Sequence, residues 1–548
     1  MRYLPFPSLS LLPALLAATS LTAQSTVRVS VDSNGVGASS GSASPAISAD
    51  GRFVAFYSSA GNLVPGDTNA RADVFVRDTH TGTTTRVSVA TGGAQANHDC
   101  LAPVISRDGR FVLFESSASN LVAGDGNGLT DVFVHDRLTG TTTCVSVSPA
   151  GTTGFSGHSR AATITDDGRF VAFHSGAQDL VAGDTNSVDD IFVRDRQTNT
   201  TTRVSVRSDG SQTFAPSTWA WISGDGTSIA FHSHDSLVPS DPWATPDMWV
   251  KNLVTGSLTI ASLTLLGTPA ATAGSVLGMS PDGRLLLISS GANDLVANDL
   301  NPGGDYFVRD MLLGTTELVS LTSTGGPVLG TQWSCAMSDD GRKVVFAATA
   351  ANVVPGDTNA VEDAFVRDRW LGTVTRVSLT ATGAQCNNGT RIAVISGEGR
   401  HVAFTTSANN VVAGDTNGVL DVFLRDTEVS GCGTGGTAST YGGTFQTGNA
   451  TFGFQVTGAD PAALLVLDLG FASPGIECGS CVLTVPVILA ATPNVGGTGQ
   501  YSFPVPNDPS YIGPSFEFQW LSLFTVASPC PLLPNLSATG RVRFSAVL

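Results

Sequence analysis

Short apolar runs alternate with turn signals along most of this chain, at a fixed spacing. In the first copy a small-residue run, Pro45-Ala-Ile-Ser48, precedes the dipeptide Asp50-Gly51. Arg52-Phe-Val-Ala-Phe56 follows, then a polar loop and Asp73-Val-Phe-Val-Arg77. A Thr81-Gly82 turn leads to Thr85-Arg-Val-Ser-Val89. Runs of this length, rich in Val, Phe and Thr and bounded by Gly, read as four strands, a to d. Asp-Gly between two such runs predicts a tight hairpin, because Gly accepts positive φ.

The same pattern returns seven times. The Asp that opens the b–c loop stands at 67, 125, 184, 241, 299, 357 and 415, in steps of 58, 59, 57, 58, 58 and 58 residues. The hairpin dipeptide recurs from Asp108-Gly109 to Glu398-Gly399. A fixed period of short strands means one supersecondary unit that buries its faces against its neighbours. Four antiparallel strands on short turns make one blade of a β-propeller. Strand d follows in copies one to six, but the seventh ends at Asp421-Val-Phe-Leu-Arg425. The missing strand is present at the other end, as Val27-Arg-Val-Ser-Val31. It is predicted to pair with 421–425 and close a seven-bladed ring, sparing an exposed edge.

The string Ile47-Ser-Ala-Asp-Gly51, Phe53-Val-Ala-Phe56, Asp73-Val-Phe-Val-Arg-Asp78 resembles the TolB-like propeller repeats of secreted bacterial proteins. The resemblance covers residues 26–426, about three quarters of the chain. It implies a propeller fold. It leaves function open, because propellers of this type serve as interaction platforms, as sugar-handling enzymes and as partners of appended domains.

The remaining segments extend this picture. Residues 1–23 read as a secretory signal peptide: Arg2, an apolar stretch from Leu4 to Ala18, then small residues up to Ala23. The propeller is assigned to 24–430. A Gly-rich joint at 431–436 opens a second unit, 431–548, whose alternating runs read as a small β-sandwich. Its four cysteines, Cys432, Cys478, Cys481 and Cys530, allow three disulfide pairings. The expected location is outside the cytoplasm: periplasmic, cell-surface or extracellular.

The chain of 548 residues carries 45 acidic and 28 basic side chains, a net charge of −17. That balance excludes nucleic acid as an expected partner, since such binding needs a basic surface. No later segment offers an uninterrupted apolar span, so membrane insertion is not expected.

Three sets of residues are candidates for chemistry. The b–c loops place Asp, Asn and Asp at positions 1, 3 and 7: Asp67/Asn69/Asp73, Asp125/Asn127/Asp131, Asp184/Asn186/Asp190, Asp357/Asn359/Asp363 and Asp415/Asn417/Asp421. Oxygen ligands at alternate positions suit Ca²⁺. Position 5 lacks the acidic ligand of a full calcium loop, and the fourth copy puts Trp243 in place of Asn. The competing reading is that these side chains cap their own loop. Equivalent positions at the end of strand b hold Tyr57, Glu115, His174, His232, Ile288, Ala347 and Thr405. The Glu, His and His of copies two to four suit acid–base or metal chemistry. The variable d–a loops carry His98-Asp99-Cys100, Phe155, His158, Phe214, Trp219 and Trp333. Tracing the strands puts them on the same face as the b–c loops.

These readings lead to an expected function: a secreted, non-enzymatic binding or scaffold protein. Its loop face takes a protein or glycan partner, with weak calcium binding in the b–c loops. A propeller lyase or hydrolase acting on polysaccharide is the alternative. A channel mouth lined only by small and apolar side chains would favour binding; converging titratable groups would favour the enzyme.

Overall fold

A computed structural model describes residues 25–427, apart from 154–155, 240, 242–245, 271–273, 298, 300–302 and 331, and it describes the strand backbones of the C-terminal segment. The predicted signal peptide, Phe155, Trp243 and the C-terminal cysteines lie outside the described residues.

Residues 24–428 form one unit of seven four-stranded antiparallel sheets, each ordered a-b-c-d. The first is Ser42–Ile47, Phe53–Ser58, Asp73–Asp78 and Thr83–Arg86. The first strands of successive blades touch all the way round, so strand a lines the central channel and strand d the rim. The N-terminal strand Thr26–Arg28 completes the seventh sheet, pairing Thr26 with Arg425, Val27 with Leu424 and Arg28 with Phe423. This is the closure expected from the strand count, and the ring has no open edge.

Between blades the sheets bury one apolar layer. In blade one, Phe56 on strand b stacks on Phe75 on strand c at 5.9 Å, and both are fully buried. Blades two, three, six and seven repeat the pair. Fully burying a side chain of this size is worth about 1.5–3 kcal/mol. The turn glycines serve the same packing. Gly168 has φ +72°, and a Cβ there would lie 2.2 Å from the Phe111 ring of the preceding blade. Gly109 stands in the same relation to Phe53. The dipeptide therefore needs Gly twice, for its backbone and for the neighbour that lies across it.

The C-terminal segment falls in a separate unit. It contains a three-stranded sheet, with Thr437–Tyr441, Gly453–Thr457 and Gly499–Ser502 in order. A four-stranded sheet includes Leu464–Phe471, Ser515–Leu523 and Leu536–Ser545. Both are antiparallel. Among the described residues no helix is long and apolar enough to cross a membrane.

Candidate functional site

The b–c loops are built by internal hydrogen bonding. In blade one, Asn69 Oδ1 accepts from the Arg71 amide at 3.1 Å and Asn69 Nδ2 donates to Asp73 Oδ2 at 2.9 Å. Asp73 is fully buried, and its Oδ1 accepts from Ser88 Oγ at 2.5 Å. Ser88 Oγ in turn accepts from the Val74 amide. The Asp–Ser bond recurs in every blade, from Asp131–Ser146 at 2.7 Å and Asp190–Ser205 at 2.6 Å to Asp363–Ser378 and Asp421–Ser30. The Asn–Asp bond recurs for Asn127, Asn186, Asn359 and Asn417. A strand-d arginine adds charge in four blades. Arg86 NH1 lies 3.0 Å from Asp67 and 3.2 Å from Asp73. Arg203 reaches Asp184 and Asp190, Arg376 reaches Asp357 and Asp363, and Arg28 reaches Asp415 and Asp421. In these four blades a guanidinium already stands between the two carboxylates.

The d–a loops clip onto neighbouring b–c loops. Asp99 accepts from the Ala72 amide at 2.9 Å, and His158 Nδ1 from the Thr130 amide at 2.9 Å. Cys100 is buried, and desolvation pushes its thiol up to about 12, so His98-Asp99-Cys100 holds no activated nucleophile.

The channel mouth on the loop face is different. Every strand a carries a register break there against strand b. In blades one to four it includes a non-Gly residue at positive φ: Ser44, Ala102, Ala161 and Trp219. For a residue as large as Trp219, at φ 58°, this is a strained conformation of the kind that gathers at functional sites. The bulges expose Trp219 (54%) and Trp333 (46%) on the innermost strands. Strand packing covers the other sides of these strands, so the exposed rings face the channel mouth. Arg160 and Arg391 are exposed on the same stretch of their strands. Arg391 lies 4.7 Å over the Trp333 ring and 3.2 Å from Glu362.

The aligned strand-b residues stand directly behind this wall. His174 is the cross-strand partner of Arg160, and its ring lies 6.4 Å from that of Trp219 in the next blade. Burial, with the Arg160 charge adding to it, lowers the His174 pKa, so the imidazole is neutral at pH 7. Its Nδ1 has no hydrogen-bond partner. Glu115 Oε1 accepts from the Ala161 amide at 2.7 Å, and burial raises its pKa. His232 is buried, lies 4.9 Å from the His234 ring, and is pushed down to about 4 by desolvation. Tyr57, Ile288, Ala347 and Thr405 hold the equivalent positions in the other four blades. The alignment of strand b thus anticipated Glu115, His174 and His232. Arg160 and Arg391 were missed, although they are the only basic residues on the first strands.

The opposite end of the channel is plugged. Arg107 of blade two donates to Asp166 of blade three at 3.0 Å and to Asp339 of blade six. An open depression of about 430 Å³ lies beside it, lined by Asp166, Asp167, Gly224, Asp225, Pro281 and Asp282. Among the described residues, no three His, Cys, Asp or Glu side chains gather as a metal-ligand set.

No family model matches the chain, and no curated protein matches it. Solved structures of β-propellers do. An oligogalacturonate lyase in complex with manganese is 14% identical, with TM-score 0.45, covering 70% of this chain and 88% of its own. TolB from Acinetobacter baumannii is 16% identical, with TM-score 0.34, covering 56% and 59%. Acylaminoacyl peptidase from Pyrococcus horikoshii is 12% identical, with TM-score 0.42, covering 76% and 57%. These likenesses concern the fold: a seven-bladed propeller whose structural neighbours include TolB proteins. They also correct the expected function. The expectation of a non-enzymatic binding or scaffold role is withdrawn: the neighbours include a lyase and a peptidase as well as TolB proteins, and the fold they share does not choose among these roles. Nor does the mouth meet the small-and-apolar pattern that would have favoured that role.

Proposed function

We propose that this is an exported enzyme acting on a carboxylated polysaccharide at the loop-face mouth of the channel. One observation carries the reading: Arg160, His174 and Trp219 come together on the wall between blades three and four. Trp219 and Trp333 offer flat apolar faces for sugar rings. Arg160 and Arg391 offer forked donors for a uronate carboxylate. His174, neutral at pH 7, is suited to take the proton beside a carboxylate that Arg160 holds. In elimination the ring C–H bond breaks and its proton goes to His174. A C=C bond forms in the ring, and the glycosidic C–O bond breaks. The leaving oxygen takes a proton from water. Hydrolysis is supported less well, because it needs two facing carboxyl groups, and among the described residues no carboxylate is found facing Glu115. The apolar leader at 1–23 supports export.

The test incubates the full chain with acidic and neutral polysaccharides and follows unsaturated product and new reducing ends. Unsaturated ends from a polyuronate are expected. His174→Gln should lower kcat by about 10²–10⁴-fold with binding retained. Arg160→Ala should raise KM as well. Reducing ends without unsaturation would replace elimination by hydrolysis. No product from any acidic chain would end the proposal.

A further inference from the structure

The loop-face mouth carries two tryptophan–arginine pairs. Arg160 and Trp219 stand on the first strands of blades three and four, and Trp333 and Arg391 on those of blades six and seven. The first strands touch side by side round the channel, so the pairs lie on opposite walls, three blades apart one way and four the other. Their order is mirrored. Both tryptophans flank blade five, and both arginines lie on the side of blades one and two. A chain laid from wall to wall therefore meets a ring face at each end on one side and a guanidinium at each end on the other.

The pairs differ in what stands behind them. His174 is the cross-strand partner of Arg160, and its ring lies 6.4 Å from that of Trp219. On the other wall strand b offers Ala347 and Thr405, opposite Ser334 and Ile392 beside the pair. Neither side chain titrates near neutral pH, so this wall has no base at the level of His174. Arg391 is instead set for binding. Its Nε donates to Glu362 Oε1 at 3.2 Å, and its guanidinium lies 4.7 Å over the Trp333 ring. These contacts fix the guanidinium plane and leave its terminal nitrogens as forked donors suited to a carboxylate. Gly389 leaves room for the brace, since a Cβ there would run into the Glu362 carboxylate. Glu362 is thus a positioning residue.

We propose that Trp333 and Arg391 form a second, non-catalytic subsite, and that the substrate is a polyuronate chain laid across the mouth and held at both walls. Cleavage takes place at the His174 wall, while the opposite wall grips the chain at a distance from the bond that breaks. This inference rests on the reading that the mouth takes a carboxylated glycan, and not on the chemistry done there.

The test measures binding of a polyuronate series, from dimer through hexamer to polymer, to the full chain by calorimetry, and follows unsaturated product on the same ligands. A ligand long enough to engage both walls should bind about 10²-fold more tightly than the dimer. Arg391→Gln and Trp333→Leu should flatten this dependence on length. Glu362→Gln, which keeps the side-chain shape, should reduce the gain and decides the matter if the other variants do not fold. Length-dependent binding that the variants flatten, without unsaturated product, would uphold the second subsite and end the elimination reading. Unsaturated product with equal affinity for dimer and polymer, or with a length dependence that no variant moves, would overturn the second subsite and leave elimination standing. Failure of any polyuronate to bind would overturn both.

Discussion

Arg107 of blade two forms an ion pair with Asp339 of blade six, 232 residues away and three blades round the ring. Non-adjacent blades meet only at the axis, so this contact spans the channel. Arg107 also holds Asp166 at 3.0 Å, and one guanidinium ties three blades together at the turn face. Burial raises the Asp339 pKa, against the pull of Arg107. Arg107→Ala should leave two carboxylates facing each other and lower stability by about 1 kcal/mol, the scale of partly exposed pairs. Thermal melts in low and high salt would check this, since screening should narrow the gap between variant and wild type.

Closure of the ring rests on a short N-terminal strand. Ser30 Oγ donates to Asp421, Arg28 pairs with Asp415, Val29 is buried between blade seven and blade one, and Val31 is buried as well. Removing residues 24–32 should therefore cost several buried contacts, about 1.5–3 kcal/mol for each Val. It should also expose the edge of strand Asp421–Asp426. The expected outcome is a lower Tm with aggregation that depends on concentration. An unchanged melt would refute the closure.

Gly168→Ala tests the second demand on the hairpin turns. The added methyl meets the Phe111 ring at 2.2 Å with φ held at +72°. A loss of about 1–3 kcal/mol is expected from overpacking and backbone strain. Gly140→Ala is the control: its φ of +70° is similar, but nothing lies within 4 Å. Denaturant unfolding should show the larger loss at Gly168.

Acid should weaken the propeller through the c–d turns. Arg110 holds the Asp136 carboxyl down at about 2, and Arg52 and Arg169 hold those of Asp78 and Asp195 lower still. A carboxyl whose folded pKa lies below its unfolded value binds fewer protons when folded. Its contribution is fully present above about pH 4 and is lost as pH falls towards 2. Tm should therefore drop over that window, and Arg110→Gln should make the drop shallower. A profile unchanged by Arg110→Gln would remove the pair from the account.

Much of the architecture was legible in the residues because a propeller blade is local. Each strand pairs with the next in sequence, so Phe53–Ser58 and Asp73–Asp78 follow from alternation and turns alone. The ring closure was legible for the same reason: a strand missing at one end was present at the other. The Asp73 carboxylate was half legible. Its loop partner Asn69 lies four residues away, but Ser88 and Arg86 reach it from strand d through cross-strand register.

The mouth was the least legible part. Aligning strand b placed Glu115, His174 and His232 at one level, yet Arg160 and Trp219 join them through bulges that shift strand-a register by one residue. The one-dimensional pattern by itself determined the number of blades, their strand order and the turns, since these depend on neighbours in the chain. Only the tertiary structure decided which side chains face the channel, which carboxylates receive a guanidinium and which end is plugged. The mouth and the plug depend on contacts between blades, and the guanidinium pairs on cross-strand register within a blade; in both, packing and charge compensation, not local propensity, set the minimum.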